Sequence, residues 1–590
     1  MLSTSLTDEA LRSLVTDRFT DLSTDVINDL ITIGEIVEFD SSEVIIRQGE
    51  QSEDVYFLLS GRAAVYLEDE SEGIRKINEI SSGEIFGEMS TFTKSPRSTS
   101  IVSIRQTVLY RVVGHAFMQF LDSHPQFYKA ISTTLIQRLA SANTGTAKQK
   151  TCKNIALYSL HPDYPLSSLC KHVTAHLQSY GKVHIVKSAD LLKYKDAAAD
   201  LISYLNTAEI DNDYILFVCP ADEEWVARAM ITHSDQIMMV RHLYTGAAVT
   251  KPPISIPTDF PMHEIESYLL LDSIGTEAIT GSAKCLEDFP NSRILHLHKS
   301  SDYGRIARFI AGQCTKLVLS GGGARGLAHL GVHKALLEVG IEIDAVGGTS
   351  IGSIMSALVA CGWDYNLILE EAKKAFIEAK PLKDYQFPLV SLLKGKRLDK
   401  TLKARFKDLY IEDLPIPYLA VAANLSNMST EIIDRGLVRD AARASIAIPS
   451  ILPPAVREGK LLLDGGIVDN MPYDAVQSIC QGPIIGVDLS TIKERQLGYQ
   501  KVPTNLQLTK AKLKGSKTYK VPNIYQIIMG TMTLASDEKK RRNIPKFDLY
   551  IQPNVRKFGF LDFKKFDALI EEGYRSSLPK LEAWAKENGL

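Results

Sequence analysis

GGGARGLAHLGV, residues 321–332, decides how the C-terminal half of this chain is read. An apolar run, KLVLS (316–320), precedes it and helix-forming sequence follows. Gly321, Gly323 and Gly326 make a G-x-G-x-x-G turn, the layout of a dinucleotide-binding loop. The same layout can aim backbone N–H groups at the oxyanion of a reacting ester. In the first reading Asp344 stands where a ribose-binding acid could be.

The next stretch, IDAVGGTSIGSIMSALV (343–359), favours the second reading. Gly348, Ser350 and Gly352 form G-x-S-x-G between an apolar strand and a small-residue helix, the context of a nucleophile elbow. The glycines permit a sharp turn and close helix packing, and leave the serine at the positive end of the helix. A lone G-x-S-x-G is weak; strand, turn, helix and glycine loop together are much stronger. The uncharged run 345–363 is short for a membrane span and reads as buried strand, turn and helix.

A nucleophilic serine needs a base. The last histidine is His333, so the order Ser, acid, His is impossible. His329 and His333, at i, i+4 after the glycine loop, lack a third metal ligand and read as ordinary helix residues. No metal site is expected. A carboxylate must serve, and KLLLDGGIVDNMP (460–472) offers Asp464, followed by Gly465 and Gly466. Taken alone, that is an ordinary D-G turn.

GGGARG, GTSIG and DGG, in that order, resemble the patatin-like phospholipases. The resemblance implies Ser350 as nucleophile, Asp464 as general base in a Ser–Asp dyad, and an oxyanion hole from the backbone of Gly321, Gly322, Gly323, Ala324, Arg325 and Gly326, with no catalytic cofactor. Such donors are worth about 10²–10³ in rate each. Arg325 is expected to hold the loop's shape. SDYGRIARFIAGQCTKLVLSGGGARG, IEDLPIPYLAVAANL, ARASIAIPSILPPAV and LLLDGGIVDNMP resemble the neuropathy target esterase branch of that family, which implies phospholipid or lysophospholipid substrates.

Upstream, β-type runs with spaced glycines, VIIRQGE (44–50), VYFLLSGRAAVYL (55–67) and IRKINEI (74–80), predict a small antiparallel β-roll. Helical periodicity follows over 117–140, and 141–150 reads as an exposed joint. IRQGE, YFLLSGRAAVY and FGEMSTFTKSPRSTS (86–100) resemble a cyclic-nucleotide-binding domain. That resemblance implies a cAMP or cGMP site at Gly87, Glu88, Met89, Ser90, Arg97 and Ser98. Gly87 opens a helix turn suited to an anion, Glu88 meets the ribose hydroxyl, and Arg97 grips the cyclic phosphate. Between 153 and 300, apolar strands at 154–160, 182–187, 214–219, 236–241, 268–272 and 293–298 alternate with helical segments. This predicts a mostly parallel sheet, and the first strand lacks a phosphate-cradling loop.

The expected architecture is an α/β multidomain chain: a cyclic-nucleotide-binding β-roll (1–145), an α/β linking domain (146–312) and a patatin-like α/β hydrolase domain (313–590). The expected activity is that of a serine lipid acyl hydrolase regulated by cyclic nucleotide; the rival is a nucleotide-sensing scaffold with an inert hydrolase domain. The chain has 590 residues and a net charge of −3, which does not suggest a nucleic-acid partner. Seven scattered cysteines without a C-x-x-C pair fit a reduced, cytoplasmic setting. The N-terminus reads as an amphipathic helix without a signal peptide. The apolar, proline-rich SIAIPSILPPAV (445–456) reads equally as an acyl-chain surface or as a buried strand and turn. Basic runs at 394–407, 510–517 and 539–542 read as solvated faces or contacts to anionic headgroups at a peripheral membrane. A homodimer is compatible with the sequence, which does not fix the oligomeric state.

Overall fold

The computed structural model describes residues 24–69, 73–128, 131–132, 152–220, 222–243, 266–490, 501–504, 506–509, 521 and 524–589. The N-terminal helix, the joint at 141–150, the proline-rich 251–261 and the basic 510–517 lie outside these residues. The chain forms two compact units. One contains residues through Ser273 together with Leu286–Leu297; the other contains Ile274–Cys285 and the chain from His298 on.

The first unit begins with the roll. One antiparallel sheet runs in the order Gly34–Phe39, Thr107–Val112, Val55–Ser60, Ile85–Phe86; the other runs Val44–Ile46, Ser100–Ser103, Arg62–Asp69, Gly73–Ser81. The predicted run at 55–67 is therefore two strands, split at Gly61 with φ +101°. Phe57, Phe117 and Phe127 pack in the roll's core. The helix expected from 117 is broken after Ser123: His124 leaves helical geometry because Pro125 crowds the residue before it.

The same unit holds a six-stranded sheet in the order Val183–Val186, Tyr214–Cys219, Lys153–Ser159, Gln236–His242, Glu266–Asp272, Arg293–Leu297. Every pair is parallel. Its central strands are almost wholly buried, as a sheet covered on both faces requires, while the edge strand Val183–Val186 is half-buried. Roll and sheet meet through buried charge. Arg62 lies 3.1 Å from Asp235, and Arg105, 2% exposed, lies 2.7 Å from Glu209 and donates to the His233 carbonyl. Desolvation offsets most of the attraction in such pairs. Their contribution is to fix orientation, because a displaced partner would leave a charge buried alone.

The second unit is built on a mixed sheet in the order Ala455–Arg457, Lys460–Asp464, Tyr418–Asn424, Ala345–Thr349, Lys316–Leu319, Ile484–Val487, Leu549–Ile551, with Ser429–Ile433 also paired to Tyr418–Asn424. The four central strands are parallel, and Lys460–Asp464 runs antiparallel to its neighbour, Ala422 opposite Asp464. The uncharged run at 345–363 resolves into strand Ala345–Thr349 and helix Ile351–Ala360, both buried. Among the described residues no helix is long and apolar enough to cross a membrane. The carboxyl ends of Lys316–Leu319 and Ala345–Thr349 stand side by side, the position where open α/β sheets place their ligands.

Candidate active site

Ser350 caps helix Ile351–Ala360 with φ 54° and ψ −129°, a conformation that strains any residue with a Cβ. Such strain costs of order 1–3 kcal/mol and persists where the surroundings enforce it. Here they do. The Ser350 N–H donates to Ser445 Oγ at 2.9 Å, and Ser445 Oγ donates to the Val421 carbonyl at 2.6 Å. Gly352 lets the helix lie directly on the preceding strand, since a Cβ there would strike the Leu319 carbonyl. Gly348 is equally confined, 2.6 Å from Gly352 backbone where its Cβ would stand.

The Ser350 hydroxyl donates to Asp464 Oδ2 at 2.7 Å. The two residues are 114 apart in sequence, and each is 6% exposed. Asp464 ends its strand, and the turn Gly465–Ile467 carries the Gly466 N–H to Asp464 Oδ1 at 2.8 Å. Burial pushes the carboxyl up to about 6, against the pull of the Ser350 and Gly466 hydrogen bonds.

The glycine loop abuts this pair. A Cβ on Gly321 would stand 3.0 Å from Ser350 Cβ and 2.5 Å from Asn470 Oδ1. Two of the loop's donors are engaged: Gly321 N–H with Asn470 Oδ1 at 3.1 Å, and Ala324 N–H with the Phe560 carbonyl at 2.8 Å. Gly326 packs on the Ile351 side chain. Among the described residues the N–H groups of Gly322 and Gly323 have no acceptor. Of the six expected donors, Gly321 and Ala324 are thus spent on holding the loop. Arg325 donates Nε to the Phe558 carbonyl at 2.9 Å.

Three further residues build the site. Asn470 and Ser445 lie in stretches the sequence singled out for other residues. His329, taken from the sequence as an ordinary helix residue, is buried, and its Nε2–H donates to the Ser320 carbonyl at 2.9 Å, fixing the start of the loop. Burial depresses its imidazole to about 4, so it is neutral and its Nε2 is occupied. Asp344, the candidate ribose acid, is fully buried and grips Arg308 through two 2.8 Å bonds. It faces a structural arginine, which removes the dinucleotide reading.

SIAIPSILPPAV splits between roles: Ile446, Ala447 and Leu452 are core, whereas Val456 is exposed. The basic run 539–542 is divided: Arg541 and Arg542 are exposed, while its two lysines are paired. Lys539 pairs with Asp469 at 2.6 Å, and the buried Lys540 pairs with Asp537 at 3.2 Å. All seven cysteines are buried and outside any disulfide.

In the roll, Gly87 has φ +86° and opens helix Glu88–Thr93. Glu88, Ser90 and Arg97 are buried, while Met89 and Ser98 are exposed. Arg97 donates Nε to Ser52 Oγ at 2.9 Å, Nη1 to the Gly87 carbonyl at 2.7 Å and Ser90 Oγ at 2.6 Å, and Nη2 to the Asp54 carbonyl at 2.7 Å. Four of its five N–H donors are engaged.

Residues 317–476 match the family of patatin-like phospholipases, and residues 36–124 match the cyclic nucleotide-binding domain. An uncharacterized NTE family protein of Mycobacterium tuberculosis is 28% identical over 95% of this chain and 94% of its own length. Lysophospholipase NTE1 of Kluyveromyces lactis is 25% identical over 94% of this chain and 48% of its own. Patatin-like phospholipase domain-containing protein 7 of Rattus norvegicus is 24% identical over 94% and 46%. The chain thus spans about half the length of the last two. It carries a patatin-like phospholipase domain and a cyclic nucleotide-binding domain, and over most of its length it is a homologue of the NTE family proteins.

Proposed function

We propose that the chain is a serine lipid acyl hydrolase acting on phospholipids or lysophospholipids through a Ser350–Asp464 dyad, under control of a cyclic nucleotide. The observation that carries this reading is the 2.7 Å hydrogen bond from the strained Ser350 hydroxyl to a buried carboxylate, beside two unengaged loop amides. Ser350 Oγ attacks the ester carbonyl carbon as its proton passes to Asp464 Oδ2. The carbonyl electron pair moves onto oxygen, where the Gly322 and Gly323 N–H groups and the helix N-terminus receive the charge. Collapse expels the lipid alcohol, which takes the proton back from Asp464. Water then gives a proton to Asp464 and attacks the acyl-enzyme. The fatty acid leaves, and Ser350 regains its hydrogen.

The nucleotide reading rests on Gly87, Glu88 and Arg97 at the family's spacing. Arg97 has one N–H donor left, so a cyclic phosphate gripped by two must draw the other from an acceptor such as the Gly87 carbonyl or Ser90 Oγ. Binding therefore displaces the start of helix Glu88–Thr93, a local change able to bias a switch.

The test is hydrolysis of lysophosphatidylcholine with and without cAMP and cGMP, beside Ser350→Ala and labelling by a fluorophosphonate. Unlabelled Ser350 in the folded chain would reject the hydrolase and leave the inert scaffold.

A further inference from the structure

Residues 380–407 carry nine Lys and Arg against two Asp, a charge of +7 in a chain whose total is −3. Within this segment the chain folds back on itself. Tyr385 bridges Leu393 antiparallel, Gln386 N–H donates to the Leu392 carbonyl at 3.0 Å, and Lys394 N–H to the Asp384 carbonyl at 2.8 Å. The Gln386 side chain fills the interior of the bend, donating to Ser391 Oγ and to the Ser391 and Leu393 carbonyls. With a polar interior, the apolar side chains are turned outward. Tyr385, Phe387, Leu389 and Val390 are 73%, 81%, 85% and 66% exposed. Scattered exposed apolar residues need no explanation, but a built projection tipped with Phe-Pro-Leu-Val does.

The cations flank that tip. Helix Lys396–Phe406 buries Leu398, Leu402 and Phe406 and leaves Lys396, Arg397, Lys400 and Lys403 exposed. Asp399, the acid on this helix, is taken up by Arg443 at 2.7 Å. The projection is also tied to the active site. Leu392 and Leu393 donate their N–H groups to the Ser450 and Ile451 carbonyls, and three residues earlier the Ala447 carbonyl accepts the Asp464 N–H.

We infer that residues 385–392 are an interfacial anchor that enters the headgroup layer of an anionic lipid bilayer, with the Lys396–Phe406 helix lying on the phosphate plane. An exposed apolar tip joined to a helix with exposed lysines fits that partner: the tip takes the acyl boundary and the helix takes the anionic charge. Resting on the lipid hydrolase reading, the anchor would deliver substrate from the bilayer to Ser350.

The test is cosedimentation of the full chain with phosphatidylcholine vesicles, with and without phosphatidylserine, followed by turnover. Expected is preferential binding to the anionic vesicles, weakening as salt rises. Phe387→Asp with Leu389→Asp should lower partitioning at least tenfold, and each of Lys400→Gln and Lys403→Gln about fivefold on anionic vesicles. The tip variant should lose turnover of vesicle-borne lipid while keeping that of a soluble short-chain ester. Ser350→Ala should bind vesicles as the wild type does, so docking stands or falls apart from catalysis. Equal binding of the tip variant, indifference to phosphatidylserine, or capture by a soluble polyanion in place of vesicles would overturn the anchor.

Discussion

Replacing Asp464 by asparagine should remove activity and raise stability together. The amide oxygen can still accept from Gly466 N–H while the amide NH2, in place of Oδ2, donates to Ser350 Oγ, so the shape of the turn survives. What is lost is the base, which is worth about 10²–10⁴ in kcat. What is gained follows from the carboxyl's position near 6, raised chiefly by burial. The unfolded aspartate ionises near 3.9. Between that value and 6 the folded state binds a proton the unfolded state does not, so stability falls as pH rises across this window. Above it the cost of the buried charge is complete, about 2 units or roughly 3 kcal/mol. Asp464→Asn should therefore be more stable than wild type by up to about 3 kcal/mol at pH 8 and about equal at pH 4. For a unit of this size that is roughly 5–10 °C in the calorimetric transition of the hydrolase. The wild-type kcat/KM should rise with pH through about 6, reaching only about a tenth of its plateau at pH 5. Wild-type turnover in the variant, or a stability difference that does not change between pH 4 and pH 8, refutes the reasoning.

Gly321→Ala would push a methyl group against Asn470 Oδ1 and Ser350 Cβ; kcat on a soluble ester should fall at least tenfold with little change in KM, checked by steady-state kinetics. His329→Gln keeps an N–H for the Ser320 carbonyl and should retain most activity, whereas His329→Phe should lose it; equal activity of the two would show that the contact does not position the loop. cAMP or cGMP at about 100 times its Kd should stabilise the wild-type roll by about 2.7 kcal/mol in a thermal-shift assay, and Arg97→Lys should abolish that shift, because an ammonium cannot span the positions the guanidinium bridges.

Much of this site was legible because its chemistry is local in sequence. The elbow is a strand, a turn and a helix within sixteen residues, and its glycines mark where backbone must approach backbone. The parallel sheet of the first unit showed as buried runs of β-branched and aromatic residues. What was not legible depends on contacts across long separations. Nothing in GGGARG says that Asn470, 149 residues away, takes the Gly321 N–H, or that Phe560 takes that of Ala324. Those contacts decide which amides remain for an oxyanion. Charge runs are only partly legible for the same reason: Arg541 and Arg542 are exposed, whereas Lys539 and Lys540 meet acids supplied by another segment or a turn back along their own helix. The apolar YQFPLVSLL at 385–393 carries no motif that the sequence singled out, and its exposure shows only in the fold, where Tyr385 bridges Leu393 and the apolar side chains between turn outward.

The missing histidine is a consequence of this architecture rather than a gap in it. An imidazole near the loop exists, but its Nε2 is spent on the Ser320 carbonyl and burial keeps it neutral. In the proposed dyad the proton goes to a carboxylate, and an ordinary aspartate would be a poor acceptor. Raising it by about 2 units strengthens it as a base by up to about 100-fold in proton affinity. Once protonated it must return that proton to a departing alkoxide, which an acid near 6 does with ease. On the proposed mechanism one group would serve in both directions, and the burial that weakens the fold is what would fit it to the task.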